Sequence, residues 1–198
     1  MPLNLPILLT WLRILLIPLL VALFYLPADW MTELTRNAVA TVVFVAAALT
    51  DWFDGWLARR WNQVSAFGAF LDPVADKLMV TAALLILMRA GEVEAIAALI
   101  IIGREITISA LREWMAQIGA SRSVAVHSLG KIKTAAQMVA IPMLLFHFDF
   151  LFFNAHAVGT VLLWIAVVLT VWSMFYYIRR AWPQIAERGF DRVGGGKS

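Results

Sequence analysis

The stretch that decides the fold runs from residue 37 to residue 88 and reads NAVATVVFVAAALTDWFDGWLARRWNQVSAFGAFLDPVADKLMVTAALLILM. It contains two apolar segments, Asn37–Leu57 and Phe67–Met88. Each is long enough to cross a bilayer core, which takes about 20 residues of helix. Four acids lie inside these segments: Asp51, Asp54, Asp72 and Asp76. An ionised acid inside a membrane span costs roughly 2.5–3.5 kcal/mol, so these positions indicate a functional site.

Four more apolar segments of similar length lie outside this stretch, at Pro6–Leu26, Val93–Met115, Ile132–Phe148 and Ala155–Tyr177. Of the 198 residues, 62% are hydrophobic and only 15% are charged, against about 25% charged in ordinary soluble domains. We therefore predict an all-α, polytopic integral membrane protein with six transmembrane helices. Residues 1–182 would form this membrane domain, and residues 183–198 a polar, flexible C-terminal tail.

The remaining composition excludes several classes of protein. The chain has no cysteine, which rules out disulfide frameworks, thiolate metal sites and cysteine nucleophiles. Its formal charge of +3 comes from 16 basic residues dispersed among apolar stretches, a poor match for a nucleic-acid-binding face. The lipid bilayer is the expected partner. The first apolar segment lacks a basic leader, so we expect it to be retained as a span.

The basic residues set the orientation. Eleven of the 16 fall on one side of the predicted spans: Arg59, Arg60, Arg112, Arg122, Lys131, Lys133, Arg179, Arg180, Arg188, Arg192 and Lys197. The opposite loops hold only Arg36 and Arg89. Because cytoplasmic loops carry the excess of Lys and Arg, both termini are expected in the cytoplasm.

The acids and their small neighbours follow helical spacing. One face of the second span carries Asp51, Asp54, Gly55, Ala58 and Arg59. Asp72 and Asp76 lie one turn apart on the third span. Because the connection is short, we expect the two helices to pack antiparallel with both Asp pairs facing each other. Four carboxylates in low dielectric repel one another unless cations compensate them, and Mg²⁺ or Mn²⁺ suits all-oxygen ligands.

Two other interpretations of these residues remain open at this point. The acids can form structural ion pairs with in-span or nearby cations, namely Arg13, Arg59, Lys77 or Arg104. Gly55, Ala58 and Gly68 keep the carboxylate face free of bulky side chains, so a flat ligand can approach the backbone. The same small residues also suit close helix packing.

From Asp51 to Asp76 the chain matches the pattern D-x2-D-G-x2-A-R-x8-G-x3-D-x3-D at all eight fixed positions. This pattern is the signature of the CDP-alcohol phosphotransferases, and the chain resembles that family. It is most similar to the branch of bacterial phosphatidylglycerophosphate synthases. The supporting stretches are NLPILLTWLRILLIP from Asn4, GREITISALREWMA from Gly103 and GKIKTAAQM from Gly130.

The resemblance implies a six-helix membrane enzyme, a homodimer, with two divalent metals in each active site. By position, Asp51 and Asp72 would bridge both metals, Asp54 would complete the first site and Asp76 would bind the second. Asp76 would also be the catalytic proton acceptor. Gly55, Arg59 and Ser65 fall where the family contacts the CDP moiety.

The first span adds two candidates for binding the lipid substrate. Thr10 and Arg13 are the polar residues that can approach its phosphates. For Arg13 the alternative is snorkelling, in which the long side chain reaches the membrane interface. Ala58 and Gly68 complete the expected binding face for CDP-diacylglycerol.

The acceptor implied by the resemblance, glycerol 3-phosphate, is a dianion and needs cations. The candidates near the cytoplasmic face are Arg104, Arg112, Lys131 and Lys133. Arg104 lies about 12 Å inside Arg112 along the fourth span, at a depth comparable with Asp51, which suggests a phosphate ligand. Alternatively, Arg112 and Lys131 merely follow the positive-inside rule, and Arg104 pairs with an acid.

The expected function is transfer of a phosphatidyl group from CDP-diacylglycerol to sn-glycerol 3-phosphate, with release of CMP. It would take place at the cytoplasmic face of a bacterial inner membrane, as a step of phospholipid synthesis. The nearest alternative keeps the chemistry and changes the acceptor to inositol phosphate, serine or phosphatidylglycerol. A divalent-cation transporter is a further alternative, but it leaves Gly55, Ala58 and Arg59 unexplained.

Overall fold

The computed structural model describes residues 5–27, 29–61, 66–117, 128–146, 149–150 and 153–188. Six helices occupy most of these residues: α1 (Leu5–Leu23), α2 (Glu33–Trp61), α3 (Ala66–Arg89), α4 (Ala95–Gln117), α5 (Ser128–Phe146) and α6 (Ala155–Arg188). A short antiparallel pair, β1 (Asp149–Phe150) and β2 (Phe153–Asn154), lies between α5 and α6, with Asp149 opposite Asn154. The predicted helical fold is therefore confirmed.

Each helix corresponds to one of the six predicted apolar segments, with shifted ends. The helix α2 begins earlier than expected, at Glu33, and α6 continues to Arg188. Residues 183–188, which we expected in the flexible tail, are thus helical, because the apolar face of α6 extends through Ala181 and Ile185. The rest of the expected tail, residues 189–198, lies outside the described residues.

Two described segments are long and apolar enough to cross a membrane, Glu33–Asp54 and Ala155–Pro183. Shorter apolar helices span Ile7–Leu23 and Ile132–Phe146. Only 17% of the most apolar window within Glu33–Asp54 is buried, so many of its apolar side chains, such as Val42 and Leu49, face outwards. Exposed apolar helix faces suit a lipid environment. The helical fold thus agrees with a membrane protein, while six spans remain a prediction.

The chain divides into two compact units. The first comprises Met1–Ala95 and Met138–Val161, and the second comprises Ile96–Gln137 and Leu162–Ser198. In the first unit, α1 packs more extensively against α2 and α3 than these two pack against each other. Its buried face carries Ile7, Thr10, Arg13 and Leu20, whereas residues such as Leu15 point outwards. The expected facing pair of helices therefore has a third helix packed against both.

Local signals place the ends of the helices in the first unit. Gly91 follows α3 with φ 79°, a backbone conformation that favours glycine. Its N–H donates to the carbonyl of Met88 at 3.1 Å, and the N–H of Glu92 donates to that of Leu87 at 2.9 Å. This pattern is a Schellman C-cap. At the start of α2, Thr32 Oγ1 accepts from the N–H of Thr35 at 3.2 Å, an N-cap.

The second unit has its own apolar core. Ile108 and Met115 of α4 pack with Tyr177 and Ala181 of α6. On α4, buried residues recur at helical spacing: Ala97, Ala98, Ile101, Arg104, Ile108 and Met115. Arg104 therefore lies on the buried face of its helix, where a charged group needs hydrogen-bonding partners.

Candidate functional site

The aspartates of the predicted metal site, Asp51, Asp54, Asp72 and Asp76, are called the carboxylate cluster below. On α2 the buried face that includes Phe44 and Ala47 continues into Asp51 and Asp54, because these positions follow at helical spacing. Asp54 is only 3% exposed, whereas the side chain of Asp51 is 44% exposed. The cluster thus has a buried member and a member open to a ligand.

Arg13 of α1 is the cation that contacts the two aspartates of α2. Its Nη1 lies 2.7 Å from Oδ1 of Asp51, and its Nη2 donates to Oδ2 of Asp54 at 2.5 Å. The side chain is 1% exposed, so Arg13 does not snorkel to the interface. Arg13 therefore forms the structural ion pairs that were one interpretation of the sequence.

Contacts from α1 also reach α3. Thr10 Oγ1 donates to Oδ1 of Asp72 at 2.5 Å, and Asp72 lies close enough to Asp51 for the two carboxylates to repel each other. Asp76 and Arg13 line the same small internal void. The structure thus brings the four aspartates, Thr10 and Arg13 into one neighbourhood.

The structure describes little of the other residues that are predicted to bind CDP-diacylglycerol. Gly68 lies in α3 and is half-buried. Gly55, Ala58 and Arg59 belong to α2, but their exposure and contacts lie outside what the structure describes, and Ser65 lies outside the described residues altogether. Their roles stay predictions.

In the second unit, three of the predicted acceptor-binding cations form what we call the basic cluster: Arg104, Arg112 and Lys133. Glu105 Oε1 accepts hydrogen bonds from Lys133 Nζ and, at 3.1 Å, from Arg104 Nη1. Lys133 is 1% exposed and Arg104 8%, so both cations are almost fully desolvated. The carboxylate of Glu105 contacts both cations. The alternative that Arg104 pairs with a neighbouring acid is therefore confirmed.

An aromatic ring joins the third cation to this cluster. The guanidinium carbons of Arg104 and Arg112 lie 5.9 Å and 5.5 Å from the centroid of the Tyr177 ring. Both distances are within the range of cation–π attraction, about 6 Å. Tyr177 therefore orients two guanidinium groups without using their N–H donors. The side chain of Lys131, the fourth predicted cation, lies outside what the structure describes.

Residues of α6 complete the basic cluster, and the sequence alone did not single them out. Arg104 Nη2 donates to Ser173 Oγ at 3.2 Å, and Ser173 Oγ donates to the carbonyl of Thr170 at 3.0 Å. Thr170, Ser173 and Tyr177 are all buried and follow helical spacing. A polar stripe in an otherwise apolar segment is the signal by which such residues can be found.

Comparison with known proteins agrees with this geometry. The family described as CDP-alcohol phosphatidyltransferase matches residues 3–172. This chain belongs to the CDP-alcohol phosphatidyltransferase family. The match spans α1 to the middle of α6, and it includes the carboxylate cluster and the three cations of the basic cluster.

Curated relatives of this CDP-alcohol phosphatidyltransferase match it nearly end to end. A protein of Yersinia enterocolitica serotype O:8 / biotype 1B is 51% identical over 189 residues, covering 94% of this chain and all of the relative. A protein of Yersinia pestis strain Pestoides F is 50% identical with the same coverage. A protein of Shigella flexneri serotype 5b is 48% identical, covering 95% of this chain and all of the relative. All three are named CDP-diacylglycerol–glycerol-3-phosphate 3-phosphatidyltransferase.

CDP-alcohol phosphatidyltransferases generally use divalent metals, and the donor set of this chain fits such ions. The carboxylate cluster offers only oxygen ligands, which Mg²⁺ and Mn²⁺ prefer. Arg13 supplies one positive charge against four carboxylates. Within the described residues, no three acidic or histidine side chains are arranged to hold a metal, and the cation between Asp51 and Asp54 is the guanidinium of Arg13.

Proposed function

We propose that this protein transfers the phosphatidyl group of CDP-diacylglycerol to sn-glycerol 3-phosphate, which yields phosphatidylglycerophosphate and CMP. The observation that carries the proposal is the end-to-end match, at about half of all positions, to relatives that bear this activity in their names. The two clusters supply the chemistry that the reaction needs, since one suits cations and the other suits an anionic acceptor.

The carboxylate cluster is assigned to the metals and the CDP-lipid. Asp51 and Asp72 would serve both divalent ions, Asp54 would hold the first and Asp76 the second. When bound, Mg²⁺ or Mn²⁺ would neutralise the pyrophosphate and stabilise the departing phosphate. The half-exposed side chain of Asp51 supports this assignment, because an incoming ion can reach it without unfolding the helix pair.

Thr10 and Arg13 hold the carboxylates in place for these ligands. The hydrogen bond from Thr10 fixes one oxygen of Asp72, which orients the other oxygen. Arg13 is held by Asp51 and Asp54, and its buried Nε has no hydrogen-bond partner among the described residues. A phosphate oxygen of the CDP-lipid would supply such a partner, and guanidinium–phosphate pairs are strong.

Asp76 is assigned the role of general base. A hydroxyl oxygen of glycerol 3-phosphate attacks the phosphorus that carries the diacylglycerol. The bond from that phosphorus to the bridging oxygen breaks, CMP leaves with the bond electrons, and the hydroxyl proton passes to the Asp76 carboxylate. A base must lie within hydrogen-bond reach of the proton it accepts, and Asp76 lines the same small void as Arg13.

The basic cluster is assigned to the phosphate of the acceptor. Arg104 and Lys133 both contact one carboxylate, Glu105, and Arg112 shares the ring of Tyr177 with Arg104. The ring of Tyr177 uses none of the N–H groups of the two arginines. The buried Nε of Arg104 has no hydrogen-bond partner among the described residues, and guanidinium N–H groups match phosphate geometry. Lys131 joins this site in the proposal.

The proposed setting is the cytoplasmic face of a bacterial inner membrane, where a lipid and a soluble substrate can meet. Six spans, cytoplasmic termini and a homodimer are parts of the same proposal. The excess of Lys and Arg on one side of the apolar segments supports the orientation. The acyl chains of CDP-diacylglycerol would stay in the bilayer throughout the reaction.

A CMP-release assay tests this function directly. Purified full-length protein receives CDP-diacylglycerol, Mg²⁺ and one acceptor at a time: glycerol 3-phosphate, inositol 1-phosphate, serine or phosphatidylglycerol. We expect CMP release at least about 100-fold faster with glycerol 3-phosphate than with serine or phosphatidylglycerol, because a phosphate dianion matches the basic cluster. Inositol 1-phosphate carries the same dianion, so its slower release would show that the acceptor is selected by more than charge. Faster release with another acceptor would replace the proposed substrate. Metal uptake into vesicles without any CMP release would favour a transporter.

A further inference from the structure

A cavity of about 600 Å³ lies in the first unit, at the end opposite to the carboxylate cluster. It is bounded by the residues after α1, the first turn of α2 and the last turns of α3 and α5. On α3, Asp72 and Arg89 are separated by about 25 Å of helix at about 1.5 Å per residue. This distance approaches the roughly 30 Å thickness of a hydrocarbon core. The cavity and the carboxylate cluster therefore lie near opposite faces of the membrane.

Two arginines in the wall of this cavity are held by aromatic rings. The guanidinium carbon of Arg36 lies 5.3 Å from the centroid of Phe24, and that of Arg89 lies 4.4 Å from the centroid of Tyr25. A cation above a ring face keeps its in-plane N–H donors available for an oxyanion. Nε of Arg36 is buried and has no hydrogen-bond partner in the part of the chain that the structure describes.

Two glutamates give the same cavity negative charge. The side chain of Glu33 is 81% exposed, and its ion pair with Arg36 is long, at 3.9 Å. Oε2 of Glu92 lies 2.8 Å from Nε2 of His156. The wall therefore combines two guanidinium groups with two carboxylates, a balance that matches a zwitterion better than an anion.

Apart from Asn37, the rest of the wall is apolar. Leu34 of α2, 63% exposed, and the partly exposed Phe146 of α5 present apolar surface to the cavity. Leu87, Leu144 and Leu145 also line it but are almost fully buried. A ligand that fills the cavity thus needs a hydrophobic part next to a charged part. Ligand cavities in proteins usually measure about 300–1,000 Å³, so the volume accommodates a lipid headgroup with the start of its acyl chains.

We propose that this cavity binds a zwitterionic aminophospholipid from the leaflet opposite to the carboxylate cluster. The phosphate of the lipid accepts hydrogen bonds from Arg36 and Arg89, and its ammonium group faces Glu33 and Glu92. The acyl chains run along Leu34 and Phe146. This binding site is independent of the transfer reaction, since it shares no residue with either cluster.

Binding to delipidated full-length protein in detergent tests the proposal, with native mass spectrometry as the readout. The probes are dioctanoyl phosphatidylethanolamine, dioctanoyl phosphatidylglycerol and phosphoethanolamine, which is the headgroup without acyl chains. We expect the first lipid to bind at least about tenfold more tightly than the other two, because only it has both the zwitterionic headgroup and the chains. Equal affinity for phosphatidylglycerol would overturn the inference, and so would equal affinity for phosphoethanolamine.

Two variants locate the binding site. The double variant Arg36→Gln/Arg89→Gln removes the phosphate donors, and Ala90→Phe fills the cavity while it keeps all four charges. Each should weaken binding of dioctanoyl phosphatidylethanolamine at least about tenfold, whereas the control Arg60→Gln, at the other end of α2, should leave binding unchanged. Unchanged affinity in Ala90→Phe would overturn the proposal even if the double variant fails to fold.

Discussion

The carboxylate cluster and the basic cluster are built on the same plan with the charges reversed. Each contains one residue of the opposite sign that contacts two members of the cluster. Arg13 contacts Asp51 and Asp54 in the first unit, and Glu105 contacts Arg104 and Lys133 in the second. Such a counter-charge makes it possible to bury several like charges, and each cluster keeps an excess of its own sign.

The two clusters differ in which charge is open to a ligand. In the carboxylate cluster the counter-charge is the buried residue, since Arg13 is 1% exposed while the side chain of Asp51 is 44% exposed. In the basic cluster Glu105 is 25% exposed and Lys133 only 1%. The carboxylate cluster thus offers one of its ligand-binding charges, Asp51, directly. In the basic cluster the exposed cation is Arg112, which we expect to meet the acceptor phosphate first.

The largest effect is expected from removal of divalent metal, which acts on the carboxylate cluster. With Mg²⁺ and Mn²⁺ chelated, CMP release should stop, because the carboxylate cluster then has no cation for the pyrophosphate. Activity should return when either ion is added in excess. Full activity in the presence of chelator would contradict the assignment of the carboxylate cluster to metal. The four aspartates would then be interpreted as members of structural ion pairs.

The next largest effect is expected from Asp76→Asn. The amide keeps the size of the side chain but accepts no proton, so kcat should fall about 10²–10⁴-fold, the usual contribution of a general base. CMP release measures this, and a thermal melt checks folding. The matched control is Asp29→Asn, an exposed residue outside the carboxylate cluster, which should change nothing. Near-normal turnover of Asp76→Asn would contradict the base assignment.

The carboxylate cluster was predictable from the sequence because its members lie on two adjacent helices at helical spacing. The six helices were predictable for a related reason, since an apolar segment of about 20 residues is typical of a helix that crosses a membrane. The ends of the helices were less predictable from the sequence. The helix α6 continues beyond the predicted span, because Ala181 and Ile185 pack into the core of the second unit.

The partners of the charged residues were not predictable in the same way. Thr10 and Asp72 are 62 residues apart, and Arg104 and Ser173 are 69 apart. Periodicity assigns a residue to a helix face but does not tell which helix that face meets. Helix packing decides this, and α1 packs against α2 and α3 at once. Arg13 therefore became an ion-pair partner of two aspartates, which its position in an apolar helix did not determine.

A smaller effect, on the acceptor alone, is expected from Lys133→Met. Methionine fills the buried space without charge, so the KM for glycerol 3-phosphate should rise about 10- to 100-fold, as for loss of a charge-assisted hydrogen bond. The KM for CDP-diacylglycerol should change less than about twofold. Arg179→Met, at an exposed position of α6, is the control for general loss of positive charge. An equal rise in both KM values would argue against an acceptor site.

The smallest effect is expected from Tyr177→Leu, which removes the ring beneath Arg104 and Arg112. A cation–π contact contributes about 0.5–2 kcal/mol, so the KM for glycerol 3-phosphate should rise about 2- to 30-fold. Tyr177→Phe keeps the ring and should stay close to the unaltered protein. Tyr176→Leu is a matched control, because it removes the neighbouring tyrosine. The hydroxyl of Tyr176 accepts a hydrogen bond from Nη1 of Arg180 at 2.8 Å.

These variants distinguish orientation from packing, because Tyr177 also belongs to the core of the second unit. If Tyr177→Leu only loosens that core, kcat and the KM values of both substrates should change together. Tyr177→Phe should then recover these values to the extent that it recovers the free energy of unfolding. If the ring orients the guanidinium groups, only the KM for glycerol 3-phosphate should respond. The second result would show that the basic cluster depends on an uncharged residue for its geometry, as the carboxylate cluster depends on Thr10.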